Sequence, residues 1–99
     1  MDEIEILKTA AAAYFGLRPA RFAGPERHPA VARPRMVVMY LARTLFGVTL
    51  ERIGAAFRRD HTTVLHAVRR VADLRASDAA TRSDLAALEE RLLFVRPQV

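Results

Sequence analysis

An all-α fold, a small helical bundle of about five to six helices in one domain over residues 1–99, is the class that the sequence predicts. Three observations carry it. Apolar residues recur at helical spacing in successive segments, glycines and prolines punctuate those segments, and no segment alternates apolar and polar residues as a strand would. Hydrophobic residues make up 52% of the chain, so a core can form without disulfide or metal staples.

The first helix is expected over residues 2–16, with Asp2 or Glu3 at its positive end, Ile4, Leu7, Ala11 and Tyr14 on one stripe, and Gly16 as its stop. "LRPARF" (17–22) suits one short turn with Leu17 and Phe22 inward. "AGPERHPAVARP" (23–34) holds Gly24 and three prolines, which predicts mostly loop, with Pro34 in the first turn of the next helix. That helix is expected to run to Phe46 and stop at Gly47, with Val37, Leu41, Thr44 and Leu45 inward and Tyr40 alongside. Thr49 is the expected N-cap of a short helix carrying Leu50, Ile53 and Phe57. "RRD" makes the turn, and Asp60 caps a helix expected to bury Val64, Leu65, Val68, Val71 and Ala72. Ser77 or Asp78 opens the final helix, about 77–95, with Leu85, Leu88 and Leu92 on its stripe.

Composition narrows the function. The chain has no cysteine, which excludes thiol chemistry, cysteine-type zinc sites and disulfides. "MDEIEILKTAAAAYFG" is acidic where a secretory signal is basic, and no apolar run nears the roughly 20 residues of a membrane span. A cytoplasmic, nucleoid-associated protein that does not engage membranes is expected. The formal net charge is +5, and Lys8 is the one basic residue that is not arginine. Residues 18–70 hold 11 basic and 3 acidic residues, a local +8, between mildly acidic ends. One positive face follows, the footprint of nucleic-acid binding. An arginine-rich composition from a GC-rich genome accounts for the same counts.

A short helix, a tight turn and a second helix with a polar outer face outline a helix-turn-helix over about residues 49–75. Asp60, His61, Thr62 and Thr63 occupy the first turn of the second helix, where side chains reach furthest into a docked major groove. Histidine donates or accepts at a base edge, threonine offers a hydroxyl and a methyl, and the aspartate accepts from cytosine. Arg58, Arg59, Arg69 and Arg70 surround the cluster and suit phosphates. Asp60 serves equally as a plain cap, and Thr63 as a first-turn filler. His61 and His66 lie five residues apart, about 140° round a helix, so they share no face for a metal ion. No metal, cofactor or catalytic constellation is expected: Ser77 and Ser83 lie outside the motif and no glycine-rich phosphate loop is present.

"VARPR" (31–35), "IGAAF" (53–57) and "RDHTTVLHAVRRV" (59–71) together resemble the carboxy-terminal DNA-binding domain, domain IV, of the bacterial replication initiator DnaA. The similarity runs from "IEILKTAAAAYFGLRPARF" to the final helix. It implies a Trp-repressor-like helical domain that reads a short DNA box from both grooves. On that resemblance Asp60, His61 and Thr62 match base-contacting positions, and Thr63 the one whose methyl meets a thymine. Arg27, in a basic loop of about residues 23–33, matches the arginine placed in the minor groove. Arg33 and Arg35 of "VARPR", with Arg43, are expected at phosphates, together with Arg59 of the signature itself.

Three departures from the family pattern stand out. Its glycine pair before the signature arginine is replaced by "FRRDH", one residue shorter and without glycine, so a turn using positive φ at glycine is expected to be remade. Glu26 and two prolines dilute the basic loop, and Met36 stands where a glutamine often follows "VARPR". The initiator's ATPase is not part of this chain. The expectation is a stand-alone, sequence-specific double-stranded DNA-binding protein and not an enzyme, acting as a transcriptional regulator of a phage- or gene-transfer-agent-related kind. Its partners would be DNA and a second regulatory protein or RNA polymerase. The alternative is a replication modulator competing with the initiator for its boxes. The chain is expected to be a monomer, with Leu85, Leu88, Leu92, Leu93, Phe94 and Val95 of the last helix offering a route to a dimer.

Overall fold

In the computed structural model, which describes residues 2–93, an amino-terminal helix α1 (Glu3–Phe15) leads into a 3-10 turn (Pro19–Ala23) and a long helix α2 (Pro29–Phe46). Helices α3 (Leu50–Phe57), α4 (His61–Ser77) and α5 (Ala79–Leu92) complete the bundle, and the described residues contain no strand. The all-α expectation holds. The expected reach of the last helix to Phe94 and Val95 lies outside the described residues.

Caps set most of the boundaries. Asp2 accepts the Glu5 amide at 2.9 Å, Thr49 the Arg52 amide at 3.2 Å, and Asp78 the Thr81 amide at 3.1 Å. Each satisfies an amide that has no partner within its helix. Gly16 and Gly47 take left-handed φ values of 71° and 63°, stopping α1 and α2 as expected.

The start of α2 differs from expectation. It begins at Pro29, so residues 29–33 are helical and Pro34 lies inside the helix. Pro29 occupies the first helical position, where its missing amide costs nothing, and His28 Nδ1 accepts the Ala30 amide at 3.1 Å. A proline near a helix start was the right signal, attached to the wrong proline.

α2 is the central element. It packs against α1, the 3-10 turn, α3 and, most extensively, α4, so it buries Val37, Val38, Met39, Tyr40, Leu41 and Ala42 rather than one stripe. Thr44, expected inside, is exposed, and its hydroxyl donates to the Tyr40 carbonyl at 2.8 Å. On α4 the buried row is Val64, Ala67 and Val71, while Leu65 and Val68 are half-buried and Ala72 is exposed. The row lies off the expected face, with Ala67 turned toward Ala32, Met36 and Met39 of α2. Leu85, Leu88 and Leu92 all enter the core, which fixes α5 and leaves Leu93, 62% exposed, as the exposed large apolar residue among the described residues.

The helix-turn-helix is anchored to the 3-10 turn through an aromatic pair and to α1 through a lysine. Phe57 and Phe22 are fully buried and meet edge to face, with ring centroids 6.4 Å apart. Lys8 Nζ lies 5.0 Å from the Phe57 ring centroid and donates to the Ala56 carbonyl at 3.2 Å, a cation on the carboxyl end of α3. Removing a buried phenylalanine of this kind costs about 3–5 kcal/mol. On the far side, Arg33 pairs with Asp84 at 2.8 Å, and the Tyr14 hydroxyl donates to the same carboxylate at 2.6 Å. That carboxylate joins α1, α2 and α5.

Candidate nucleic-acid interface

The turn between α3 and α4 fixes the direction of the second helix, and its geometry follows from two residues. Arg58 adopts φ 55° and ψ 45°, the one non-glycine residue with positive φ among the described residues. Because of that kink the Arg59 amide reaches the Gly54 carbonyl at 2.8 Å and the Arg58 amide the Ala55 carbonyl at 3.4 Å, the paired closing bonds of a Schellman motif. The turn expected to be remade for want of glycine keeps a positive-φ residue. The conformation is kept and an arginine bears it. Gly54 is the matching residue on α3: a Cβ there would overlap the Arg59 carbonyl oxygen. The close pass of the interhelical turn over α3 requires that glycine.

From this turn α4 starts with four exposed polar residues, Asp60, His61, Thr62 and Thr63. Asp60 Oδ1 accepts the Thr62 amide at 2.7 Å, and His61 Nδ1 lies 3.5 Å from the same oxygen. Bonds from the Thr62 backbone and then its side chain hold the Asp60 carboxyl below the ordinary aspartate value. The cluster carries one anionic acceptor, an imidazole and two hydroxyls on a single exposed helical turn. Thr62 and Arg69, seven residues apart, share one azimuth of α4, and Thr63, His66 and Arg70 share another.

The second azimuth forms a wall of a groove between α2 and α4. Ala32, Met36, Met39 and Ala67 floor it, with Thr63, His66 and Arg70 along one side. A neighbouring concavity of about 370 Å³ lies between the loop at residues 24–28 and the interhelical turn. Its walls are Pro25, Arg27, Ala32, Arg35, Arg58 and Arg59, four arginines with no acid among them. Ala32, Arg35 and Arg59 line both hollows, so one basic surface runs from the loop past the turn and along α4.

The arginines expected at phosphates divide into two groups. Arg27, Arg58, Arg69 and Arg70 are exposed on or beside this surface. Arg43 is exposed too, but lies outside both hollows and donates to the Val48 carbonyl at 3.2 Å. Arg33 is held by Asp84 and Thr81 on the α5 side of the molecule. Arg35 is only 6% exposed and donates to the carbonyls of Phe22 at 2.7 Å, Glu26 at 2.9 Å and Gly24 at 3.2 Å. Burial, and then the charge of Arg59, lower its pKa, with Glu26 opposing. Arg59 is half-buried and donates to the Phe57 carbonyl at 2.8 Å and the Gly24 carbonyl at 2.7 Å. Arg33 and Arg35 are thus tied into the protein, where the sequence suggested free cations. Nothing in the sequence distinguishes them from the exposed ones, because loop carbonyls supply most of their partners.

His66 and Met36, which line the α2–α4 groove, and Gly54, which lies beneath the interhelical turn, are residues that sequence reasoning missed. The spacing of His66 from Thr63 and Arg70 already puts the three on one face of α4. Met36, which lacks the polar group of a glutamine, forms part of the apolar floor.

Residues 4–71 match the family model described as "Bacterial dnaA protein helix-turn-helix". The chain is 46% identical over 90 residues to the chromosomal replication initiator protein DnaA of Caulobacter vibrioides, covering 90% of this chain and 18% of that protein. It is 41% identical over 90 residues to the proteins of the same name from Ralstonia nicotianae and Burkholderia multivorans, covering 90% of this chain and 17% of each. The chain therefore spans less than a fifth of the length of these curated relatives.

Proposed function

The chain belongs to the family of the bacterial DnaA protein helix-turn-helix, and from that premise we propose that it is a sequence-specific double-stranded DNA-binding protein. The observation that carries the proposal is the exposed Asp60-His61-Thr62-Thr63 turn at the head of α4, flanked by a continuous arginine surface. α4 enters the major groove by its amino terminus. His61 and Thr62 read base edges, Thr63 presents its methyl to a thymine, and Asp60 accepts from a base amino group while capping the helix.

Arg58, Arg69 and Arg70 contact the flanking phosphates and fix the register without reading sequence. Arg27, on the exposed loop beside the turn, reaches the adjacent minor groove, and Arg43 meets the backbone further out. Arg33 and Arg35 act from inside the protein, holding α5 and the loop in place.

In the cell this activity serves as a transcriptional regulator, occupying sites near promoters with RNA polymerase or a second regulatory protein as its partner. The 46% identity to an initiator favours a second reading, occupancy of initiator boxes in competition with the initiator itself. Selection of a preferred site from a random duplex pool separates the two. An initiator-type box as the winner supports competition, a different motif supports regulation, and no enrichment overturns sequence-specific binding altogether.

A further inference from the structure

The Gly24 carbonyl oxygen accepts from two guanidinium groups that come from different parts of the fold. Arg35 Nη2 reaches it from α2 at 3.2 Å, and Arg59 Nη2 reaches it from the interhelical turn at 2.7 Å. The Arg35 fork also holds the carbonyls of Phe22 and Glu26, so the loop wraps round one buried cation. Arg59 is in turn fixed to its own turn through the Phe57 carbonyl at 2.8 Å. An Arg21–Glu26 ion pair at 2.6 Å closes the loop from outside. The path from loop to turn therefore runs Arg35, Gly24, Arg59, Phe57, and it ends on the last residue of α3, at the turn that leads into α4.

We infer that Arg59 is a positioning residue: through the Gly24 carbonyl it locks the loop that carries Arg27 to the turn that aims α4, so both DNA-reading elements form one rigid head. This rests on the DNA-binding function proposed above. A planar fork is needed, because one side chain must donate to Phe57 and to Gly24 in different directions, and a lysine ammonium is a point donor. Two like charges on one oxygen repel, and the arginine-lined concavity beside them lacks a carboxylate. A DNA phosphate arriving there relieves that repulsion and tightens the lock on binding.

The test is a double-mutant cycle read by fluorescence anisotropy on the selected duplex at several salt concentrations. Arg27→Ala alone is expected to weaken binding about tenfold. In an Arg59→Met background the same change is expected to cost less than about twofold, because the loop is already released. Arg70→Ala keeps its full effect in that background, which shows that α4 still docks. Arg59→Lys behaves like Arg59→Met. Hydrogen exchange of amides 22–28 in the free protein is faster in Arg59→Met, and this reads the lock without DNA.

A direct phosphate role for Arg59 gives the opposite pattern: additive losses with Arg27→Ala, rescue by lysine and unchanged exchange. Any of these overturns the inference. So does loss of the Arg70 effect along with that of Arg27, which would mean a general disturbance of the face. Failure of the wild-type protein to prefer any duplex defeats the DNA-reading proposal, while the exchange measurement still decides the lock.

Discussion

Replacing Arg58 by glycine separates folding from binding at a single position. Arg58 holds φ 55° and ψ 45°, the centre of the left-handed region, where an L side chain crowds its own carbonyl. That conformation costs about 1–2 kcal/mol, which glycine does not incur. Glycine also loosens the unfolded chain, returning roughly 0.4–1 kcal/mol of the gain. The net expectation for Arg58→Gly is a stabilisation of about 0.5–1 kcal/mol, a rise in Tm of about 2–8 °C for a domain of this size. The backbone bonds from Arg58 and Arg59 to Ala55 and Gly54 survive the change, since glycine keeps the amide and carbonyl. Binding moves the other way. The loss of one phosphate contact lowers affinity for preferred and random duplexes alike and reduces the salt slope by about 0.9. Calorimetry and salt-dependent anisotropy on the same preparation measure both. A lower Tm would refute the strain argument, and an unchanged salt slope would refute the assignment of Arg58 to a phosphate.

Other substitutions probe the remaining parts. Gly54→Ala puts a Cβ onto the Arg59 backbone carbonyl, which cannot swing aside, and is expected to cost about 1–3 kcal/mol by urea denaturation; a neutral result would mean the turn does not pass this close to α3. His61→Ala and Thr62→Ala are each expected to reduce discrimination between preferred and random DNA by about 1–3 kcal/mol. Arg69→Ala and Arg70→Ala instead weaken both equally, and competition assays with the two duplexes distinguish the classes. In acid, the Thr81 hydroxyl and then its amide hold the Asp78 carboxyl below its ordinary value, and Thr62 does the same for Asp60. A depressed native pKa gives stability that is complete above the unfolded value, about pH 4, and is lost as pH falls through the native value. Asp78→Asn and Asp60→Asn should therefore differ most from wild type near neutrality and converge with it as pH falls through the depressed native values; a difference independent of pH would contradict the charge-based account.

The helices were legible wherever a cap or a left-handed glycine marked a boundary. Asp2, Gly16, Gly47, Thr49, Asp60 and Asp78 all stand where local chemistry put them, because their partners lie within a few residues. The start of α2 was not legible. Several prolines compete across residues 25–34, and the choice of Pro29 depends on a His28 cap that is uncommon for histidine. The left-handed Arg58 was hidden for a related reason: composition argues for glycine at such a site, and only tertiary geometry keeps an arginine there. The polar head of α4 was readable from its position after a cap. The fates of the arginines were not, because a guanidinium that ends on a carbonyl 35 residues away, as Arg59 does on Gly24, leaves no periodic trace.

The central claim is that the head of α4 reads bases. Its most direct test is anisotropy at near-physiological salt comparing the wild-type protein with His61→Ala on a selected duplex and on a random pool. The account predicts that wild type prefers the selected duplex by about 10³-fold or more, and that the variant loses much of this preference while its affinity for the pool is unchanged. Equal losses on both duplexes, or no preference in the wild type, would contradict it.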